Sequence, residues 1–499
     1  MRPLLRDAAA LAVALATSRI VSAGPPAHAA ASPSALRNAR TAPRALESER
    51  MGLFRRMLDD VSPAYGRRGA VTASPSRQPN YRFDWTRDGA LTMRQVVAEL
   101  RANRDPVQRL QNVARLKAYT LFSWRKVIRS GPAGLGEPKS ELSGRPFRGP
   151  WGRPQNDGPA LRALTHLEFA DWLLGHGEES YVKDILYTRE RRTGSPITRD
   201  LDYVAPRWWE ASFDLWEEKK SYHLYTRAVQ HKALVLGAKL ASRLGDSAGV
   251  ARYTEAAHQL HKALQDHWDP QRGVLKATLP GNDHGRPTEG RTLDSAVILA
   301  AIQTYGEGAP FEITDPRILS TAHALEEAFR REYPVNRGRR GAVAIGRYPG
   351  DAYTGYDSRP GGGNPWVLTT AAFAELHYRV AREIAGGLAV TGSNRGFLQS
   401  ALGDAGQLRE GMRLRPGDAL LAELRSRLTD KGDDYLNIIR QTEAVERAAR
   451  GPRWVEALSE QINKKTGRFQ GAENLGWSDS SVVSALRARS EIDTPPTRS

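Results

Sequence analysis

Tyr225-Thr226-Arg227-Ala228-Val229-Gln230-His231-Lys232-Ala233-Leu234-Val235-Leu236-Gly237-Ala238-Lys239-Leu240 is the stretch that decides the fold class. Tyr225, Val229, Ala233, Leu236 and Leu240 recur at three- and four-residue steps, which sets them along one stripe of an α-helix. The same spacing returns in Ala90, Met93, Val97 and Leu100, and in Tyr253, Ala257, Leu260, Leu264 and Trp268. It returns again in Ile318, Ala322, Leu325 and Phe329. Boundaries are legible too: Gly175 and Gly245 follow helical runs, and Pro106 and Pro316 open new ones. The pattern predicts about a dozen helices joined by long polar loops, with few and short strands. No tandem repeat and no Pro/Ser/Thr-rich linker divides the chain after residue 45. A single all-α domain follows, a closed ring if the helices pair in order.

Composition sets the outer bounds. The chain has 499 residues, 40% of them apolar, with a mean hydropathy of −0.53 and no cysteine. Disulfides, thiolate catalysis and Cys-ligated zinc are thereby excluded. No segment approaches the roughly 18 apolar residues of a membrane span. The net charge of +17 raises nucleic acid or an anionic surface as a partner. Against that, the arginines are scattered, and no zinc-finger, RNA-recognition or helix-turn-helix pattern accompanies them. A solvated basic surface is the expectation, without a nucleic-acid or membrane partner. Arg2 and Arg6 before the apolar run Ala8 to Ala16, with Ala27-His28-Ala29 after it, form a secretory signal pattern over residues 1–31. A secreted or periplasmic protein is expected on that basis. Arg19 departs from the pattern, and an alanine-rich leader is the alternative. Residues 32–44 read as a linker and 491–499 as a disordered tail.

Just upstream of the opening helix lies Trp208-Trp209-Glu210-Ala211-Ser212-Phe213-Asp214-Leu215-Trp216-Glu217-Glu218-Lys219-Lys220. Aromatic faces stack on the C–H faces of sugar rings, and a carboxyl held among them loses hydration and keeps its proton to higher pH. The same residues fit a plainer arrangement, in which Asp214 caps a helix with Glu217 as its reciprocal partner. Other informative residues also fall in loops, where function sits on a rigid scaffold. Asn80-Tyr81-Arg82-Phe83-Asp84-Trp85-Thr86-Arg87-Asp88-Gly89 offers an Arg-Asp pair beside rings, with Thr86 or Asp88 as helix caps the alternative. Gly136-Glu137-Pro138-Lys139 and Gly149-Pro150-Trp151-Gly152-Arg153-Pro154-Gln155-Asn156-Asp157-Gly158 suit ordered, ligand-facing loops. Arg359-Pro360-Gly361-Gly362-Gly363 lacks the Lys-Ser/Thr of a phosphate loop and reads as a flexible lead into Asn364-Pro365-Trp366. The eleven histidines show no ligand spacing, and neither a metal nor a cofactor is expected.

Taken in order, these blocks resemble the glucoamylases of glycoside hydrolase family 15. The resemblance continues through Gly346-Arg347-Tyr348-Pro349, Gly363-Asn364-Pro365-Trp366, Ser459-Glu460-Gln461 and Leu475-Gly476-Trp477-Ser478, covering roughly residues 45–490. It implies an (α/α)6 barrel as one catalytic domain. It implies that Glu217 is the general acid, Glu460 the general base, Glu218 a binder of substrate hydroxyls and Asp214 a support. Arg87 and Asp88, assisted by Arg347, would grip the terminal glucose between the rings of Tyr81, Trp85, Trp151, Trp216, Trp366 and Trp477. The separation between Glu460 and Trp477 matches the family pattern and favours Glu460 over Glu473. Gly471, Gly476, Asp479 and Gly350 depart from it, which bears on rate, pH optimum and chain-length preference.

The chemistry agrees on independent grounds. Acetal hydrolysis needs one carboxyl to protonate the leaving oxygen and another to activate water on the opposite face. Glu217 and Glu460 are separated by nearly half the chain, so only a closed fold unites them. The expectation is a monomeric, inverting, exo-acting enzyme on α-1,4-glucans or malto-oligosaccharides. The alternatives are the same scaffold on α-1,6-glucans or trehalose, and a non-catalytic basic protein binding a polysaccharide or nucleic acid.

Overall fold

The computed structural model describes residues 43–128, 131–189, 194–283, 286–451 and 457–494. Thirteen helices of nine residues or more occur among them. They are α1 (Pro43–Leu58), α2 (Thr86–Ala102), α3 (Pro106–Ile128), α4 (Asp157–Leu174), α5 (Pro196–Val204), α6 (Leu224–Arg243) and α7 (Ser247–Gln265). Then come α8 (Ala296–Thr304), α9 (Pro316–Glu332), α10 (Val367–Glu383), α11 (Gly392–Leu402), α12 (Ala419–Arg450) and α13 (Gly476–Ser490). The expected leader falls outside the described residues. The expected linker does so except for its last two residues, Pro43 and Arg44, which already belong to α1.

Six helices close an inner ring: α2 packs on α4, α4 on α6, α6 on α8, α8 on α10, α10 on α13, and α13 back on α2. A second layer backs each of them, α3 on α2, α5 on α4, α7 on α6, α9 on α8, α12 on α10 and α1 on α13, with α11 between α9 and α12. The fold is an (α/α)6 barrel. The sequence separates the two layers. Inner α8 is apolar nearly all round (Ala-Val-Ile-Leu-Ala-Ala-Ile), and inner α10 is buried without a break from Val367 to Tyr378. A helix apolar on every side belongs in the interior. Outer α9 buries a stripe instead, with Ile318, Ala322, Leu325 and Phe329 on it as the spacing predicts.

The punctuation residues act where expected. Pro106 and Pro316 are the first residues of α3 and α9. Gly175 caps α4, and Gly245, at φ +79°, turns the chain out of α6 with the backbone Asp246 N–H bonded to Ala241 C=O. One expectation needs correction. Trp268 is not on the α7 stripe, because the helix ends at Gln265 and Trp268–Asp269 pairs as a short strand with Val274–Leu275. Buried polar pairs join the layers: Arg162 on α4 meets both oxygens of Asp200 on α5 at 2.8 and 2.5 Å. Removing one partner of so buried a pair costs about 3–5 kcal/mol, because the other charge is left in the interior.

Candidate active site

Five of the six inner helices, all but α8, are preceded by a loop that carries residues singled out in the sequence, and the barrel gathers these loops at one end. There, a cavity of about 480 Å³ is lined by Tyr81, Trp85, Arg87, Asp88, Trp151, Trp216, Glu217, Glu218, Arg347, Trp366, Glu460 and Trp477. Twelve of the thirteen expected site residues thus face one space. Asp214 is the exception: it is buried beneath the wall, in a supporting position and not on the cavity lining. Depth follows from exposure. Arg87 and Asp88 are 4% and 7% exposed, whereas Trp151 and Tyr356 are 40% and 61% exposed, so the cavity runs from a basic-acidic floor to an aromatic mouth.

The loop 214–219 does not lead into a helix, which answers the capping alternative. Asp214 accepts the backbone N–H groups of Glu218 and Lys219 at 2.7 and 3.1 Å, and the chain continues as a strand, Lys220–His223. Within this tight turn Glu217 takes φ +68°, left-handed backbone that a non-glycine residue adopts only where the surroundings impose it. Its side chain is clamped. The Trp85 indole N–H donates to Oε1 at 2.7 Å, the Arg87 guanidinium to the same oxygen at 3.1 Å, and the Trp151 indole N–H to Oε2 at 2.7 Å. The backbone strain and the three donors fix where this carboxyl points.

Glu460 comes from the opposite side of the ring. Its backbone N–H donates to Ala472 C=O, its C=O accepts from Val367 N–H, and the next residue, Gln461, pairs with Gln470. The Tyr81 hydroxyl donates to Oε1 at 2.9 Å, while the buried Oε2 has no partner among the described residues. Burial pushes the Glu460 carboxyl up to about 8, against the opposing pull of the Tyr81 hydroxyl and the Arg347 charge. Burial likewise raises Asp88 to about 7, with Arg87 opposing and the Glu217 and Asp157 charges adding to the rise.

Arg347 is the hub of the third wall. It meets Asp351 at 2.8 and 2.6 Å and Glu218 at 2.6 Å, and Glu218 also accepts from the Tyr348 hydroxyl at 2.6 Å. Arg87 is held from behind by Gln155 and Asp157, each at 3.0 Å. Neither Thr86 nor Asp88 caps α2 through its side chain.

Sequence reasoning missed several contributors. Lys139 lies in a cage of rings, 3.1 Å from the Trp151 centroid and 4.2 Å from that of Trp85, because Asp84–Trp85 pairs antiparallel with Lys139–Ser140. Arg291 joins Asp214, Asp294 and Glu218, and Asp294 accepts the Trp216 indole N–H at 2.9 Å. Tyr353 bonds Tyr81, the partner of Glu460, at 3.1 Å. Lys139 could have been found, since it closes a quoted motif, but nothing local marks Arg291 or Asp294. In the glycine run 361–363, Gly362 and Gly363 are packed closely against neighbouring backbone, whereas Gly361 is exposed with open space around it. Gly363 N–H donates to Asp351 C=O at 2.7 Å, and a Cβ there would sit 2.5 Å from that oxygen, so close backbone approach is what requires glycine.

Residues 47–487 match the profile of the Glycosyl hydrolases family 15. The chain belongs to that family. It is 33% identical over 443 residues to a glucoamylase of Blastobotrys adeninivorans, covering 85% of this chain and 68% of the relative. A probable glucoamylase of Schizosaccharomyces pombe is 32% identical, covering 87% and 86%. Among solved structures, the family 15 glucoamylase from Hypocrea jecorina superposes with a TM-score of 0.78 at 30% identity, covering 91% of this chain and 73% of that one. The glucoamylase from Saccharomycopsis fibuligera gives 0.78 at 27% identity, covering 92% and 97%.

As a family 15 glycoside hydrolase, the chain is informative at its departures. Gly471 has φ +77°, and a Cβ there would collide with Oε2 of Glu460, so this backbone admits no side chain beside that carboxyl. Asp479 is buried in the first turn of α13 and accepts from Arg56 at 2.9 Å. Gly350, at φ +78°, has open space around its Cα and donates its N–H to Glu332.

Proposed function

We propose that this glycoside hydrolase acts on α-1,4-glucans from their non-reducing ends and releases β-D-glucose with inversion. The observation that carries the reading is that Glu217 and Glu460, remote in sequence, face one ring-lined cavity whose floor is closed and whose mouth is aromatic. A closed floor admits a chain end rather than a chain middle. In this reading Glu217 gives its proton to the glycosidic oxygen as the C–O bond breaks. Glu460 takes a proton from the water that attacks the anomeric carbon from the opposite face. Arg87, Asp88 and Arg347 present charged hydrogen-bond partners to the hydroxyls of the terminal ring, and the indoles of Trp85 and Trp151 pin the acid. Glucose release from maltose, maltoheptaose, soluble starch, isomaltose and trehalose tests the proposal. Turnover should be greatest on the α-1,4 chains. Preference for isomaltose or trehalose would contradict the linkage, and the absence of any turnover would contradict the activity.

A further inference from the structure

Arg291 lies behind the cavity wall, and its place is fixed from the backbone outward. Its N–H donates to Thr278 C=O at 3.0 Å, and its C=O accepts from Thr278 N–H at 2.9 Å. Thr278 in turn pairs with His223, on the strand that follows the loop 214–219. From there the guanidinium reaches that loop. It meets Asp294 at 3.0 Å, Asp214 at 3.3 Å and Oε2 of Glu218 at 3.3 Å, and it lies over the Tyr348 ring, 3.6 Å from the centroid.

Glu218 is the one of these partners that lines the cavity. Side-chain exposure rises from 10% at Asp88 to 16% at Glu217 and 31% at Glu218, so Glu218 stands on the mouth side of the acid. With the terminal ring on the floor and its glycosidic oxygen at Glu217, the sugar beside Glu218 is the one that leaves. A carboxylate accepts along about four lone-pair directions. On Oε2 the Tyr348 hydroxyl takes one at 2.6 Å and Arg291 takes another, and on Oε1 Arg347 takes one at 2.6 Å. One direction, on Oε1, is left for a hydroxyl of the leaving sugar. Arg291 acts on two of the three contacts, directly at Oε2 and as the surface on which the Tyr348 ring rests.

We propose that Arg291 is a positioning residue that sets specificity for the leaving sugar, by holding Glu218 so that one oxygen points at a single hydroxyl of that ring. The proposal rests on the hydrolytic reading for calling that ring the leaving one. Arg291→Lys keeps the positive charge but has no planar fork to span Asp294, Asp214 and Glu218 at once.

Steady-state kinetics of the full chain and of Arg291→Lys on maltose and on α-D-glucosyl fluoride test it, since the fluoride carries no leaving sugar. In the variant, KM for maltose should rise about tenfold, the worth of one hydrogen bond to a charged group, with kcat within about twofold. Both constants for the fluoride should stay at their wild-type values. Asp294→Asn still accepts the Trp216 indole N–H but removes the charge that holds Arg291 from behind. It should move the maltose KM in the same direction, and it decides the matter if Arg291→Lys does not fold. Equal losses on both substrates would overturn the proposal, because they would make Arg291 a support of the loop rather than of the leaving-sugar contact. An unchanged maltose KM in both variants would overturn it too. A chain that hydrolyses neither substrate would contradict the hydrolytic reading, and titration with maltose and with the single-ring 1-deoxynojirimycin then takes the place of kinetics. Loss of maltose affinity alone in Arg291→Lys would still support the role of Arg291, and equal loss of both, or of neither, would overturn it.

Discussion

Glu460 is held where charge is disfavoured. Its carboxyl is buried, and among the described residues one oxygen has only the Tyr81 hydroxyl and the other, beside Gly471, has no partner. With its proton retained up to about 8, the group can serve as a base only after ionising. The acid limb of the kcat/KM profile should therefore fall well above 4.5, the ordinary value for a glutamate, and should move further up in Tyr81→Phe, which lacks the donor. A limb at or below 4.5 in the wild type would show that another group controls it. Stability carries the same sign. A folded value raised above the unfolded one leaves the fold unburdened below 4.5 and progressively costs stability as pH rises through about 8. Glu460→Gln cannot ionise, so its melting temperature relative to wild type should climb between those limits. Glu217 makes a different demand, since its proton must leave on cue. Glu217→Gln should keep the melting temperature and lower kcat by roughly 10²–10⁴-fold, the usual worth of a general acid. Near-normal turnover in the folded variant would remove Glu217 from that role.

At the scale of elements, the barrel turns loops into a site. All six inner helices start at the catalytic end, and their N-terminal N–H groups add positive potential to a cavity holding four carboxyls, Asp88, Glu217, Glu218 and Glu460. The loop 214–219 is the most finely built of the segments. Asp214 supports two of its backbone N–H groups and Arg291 while remaining off the cavity wall. Asp214→Ala should cost on the order of 1–3 kcal/mol of stability, as unpaired donors are left inside. It should also lower kcat, because Glu217 depends on that turn for its left-handed backbone. Thermal melts and kinetics on the same preparation check this, and an unchanged kcat would mean that the turn holds without Asp214.

For the whole molecule, what could be read from the sequence depended on range. Helical stripes such as Ile318 to Phe329 were legible because periodicity is local. The indole, guanidinium and carboxylate residues of the cavity were legible because each stands in a distinctive block. Asp214 was legible as a support but its place behind the wall was not, since position in a motif does not say which side of a wall a side chain lies on. Arg291 and Asp294 stayed hidden because, apart from each other, their side-chain partners Asp214, Trp216 and Glu218 come from another loop of the ring. The close packing of Gly362 and Gly363 was not legible, because composition does not distinguish an open turn from close backbone approach.

The central claim is that Glu217 and Glu460 work from opposite faces of one glucose ring, with water between Glu460 and the anomeric carbon. Proton NMR of the first sugar released from maltoheptaose tests it most directly, recorded before mutarotation mixes the anomers. Attack from the face opposite the leaving group requires the β-anomer to appear first. An initial α-anomer would contradict the account.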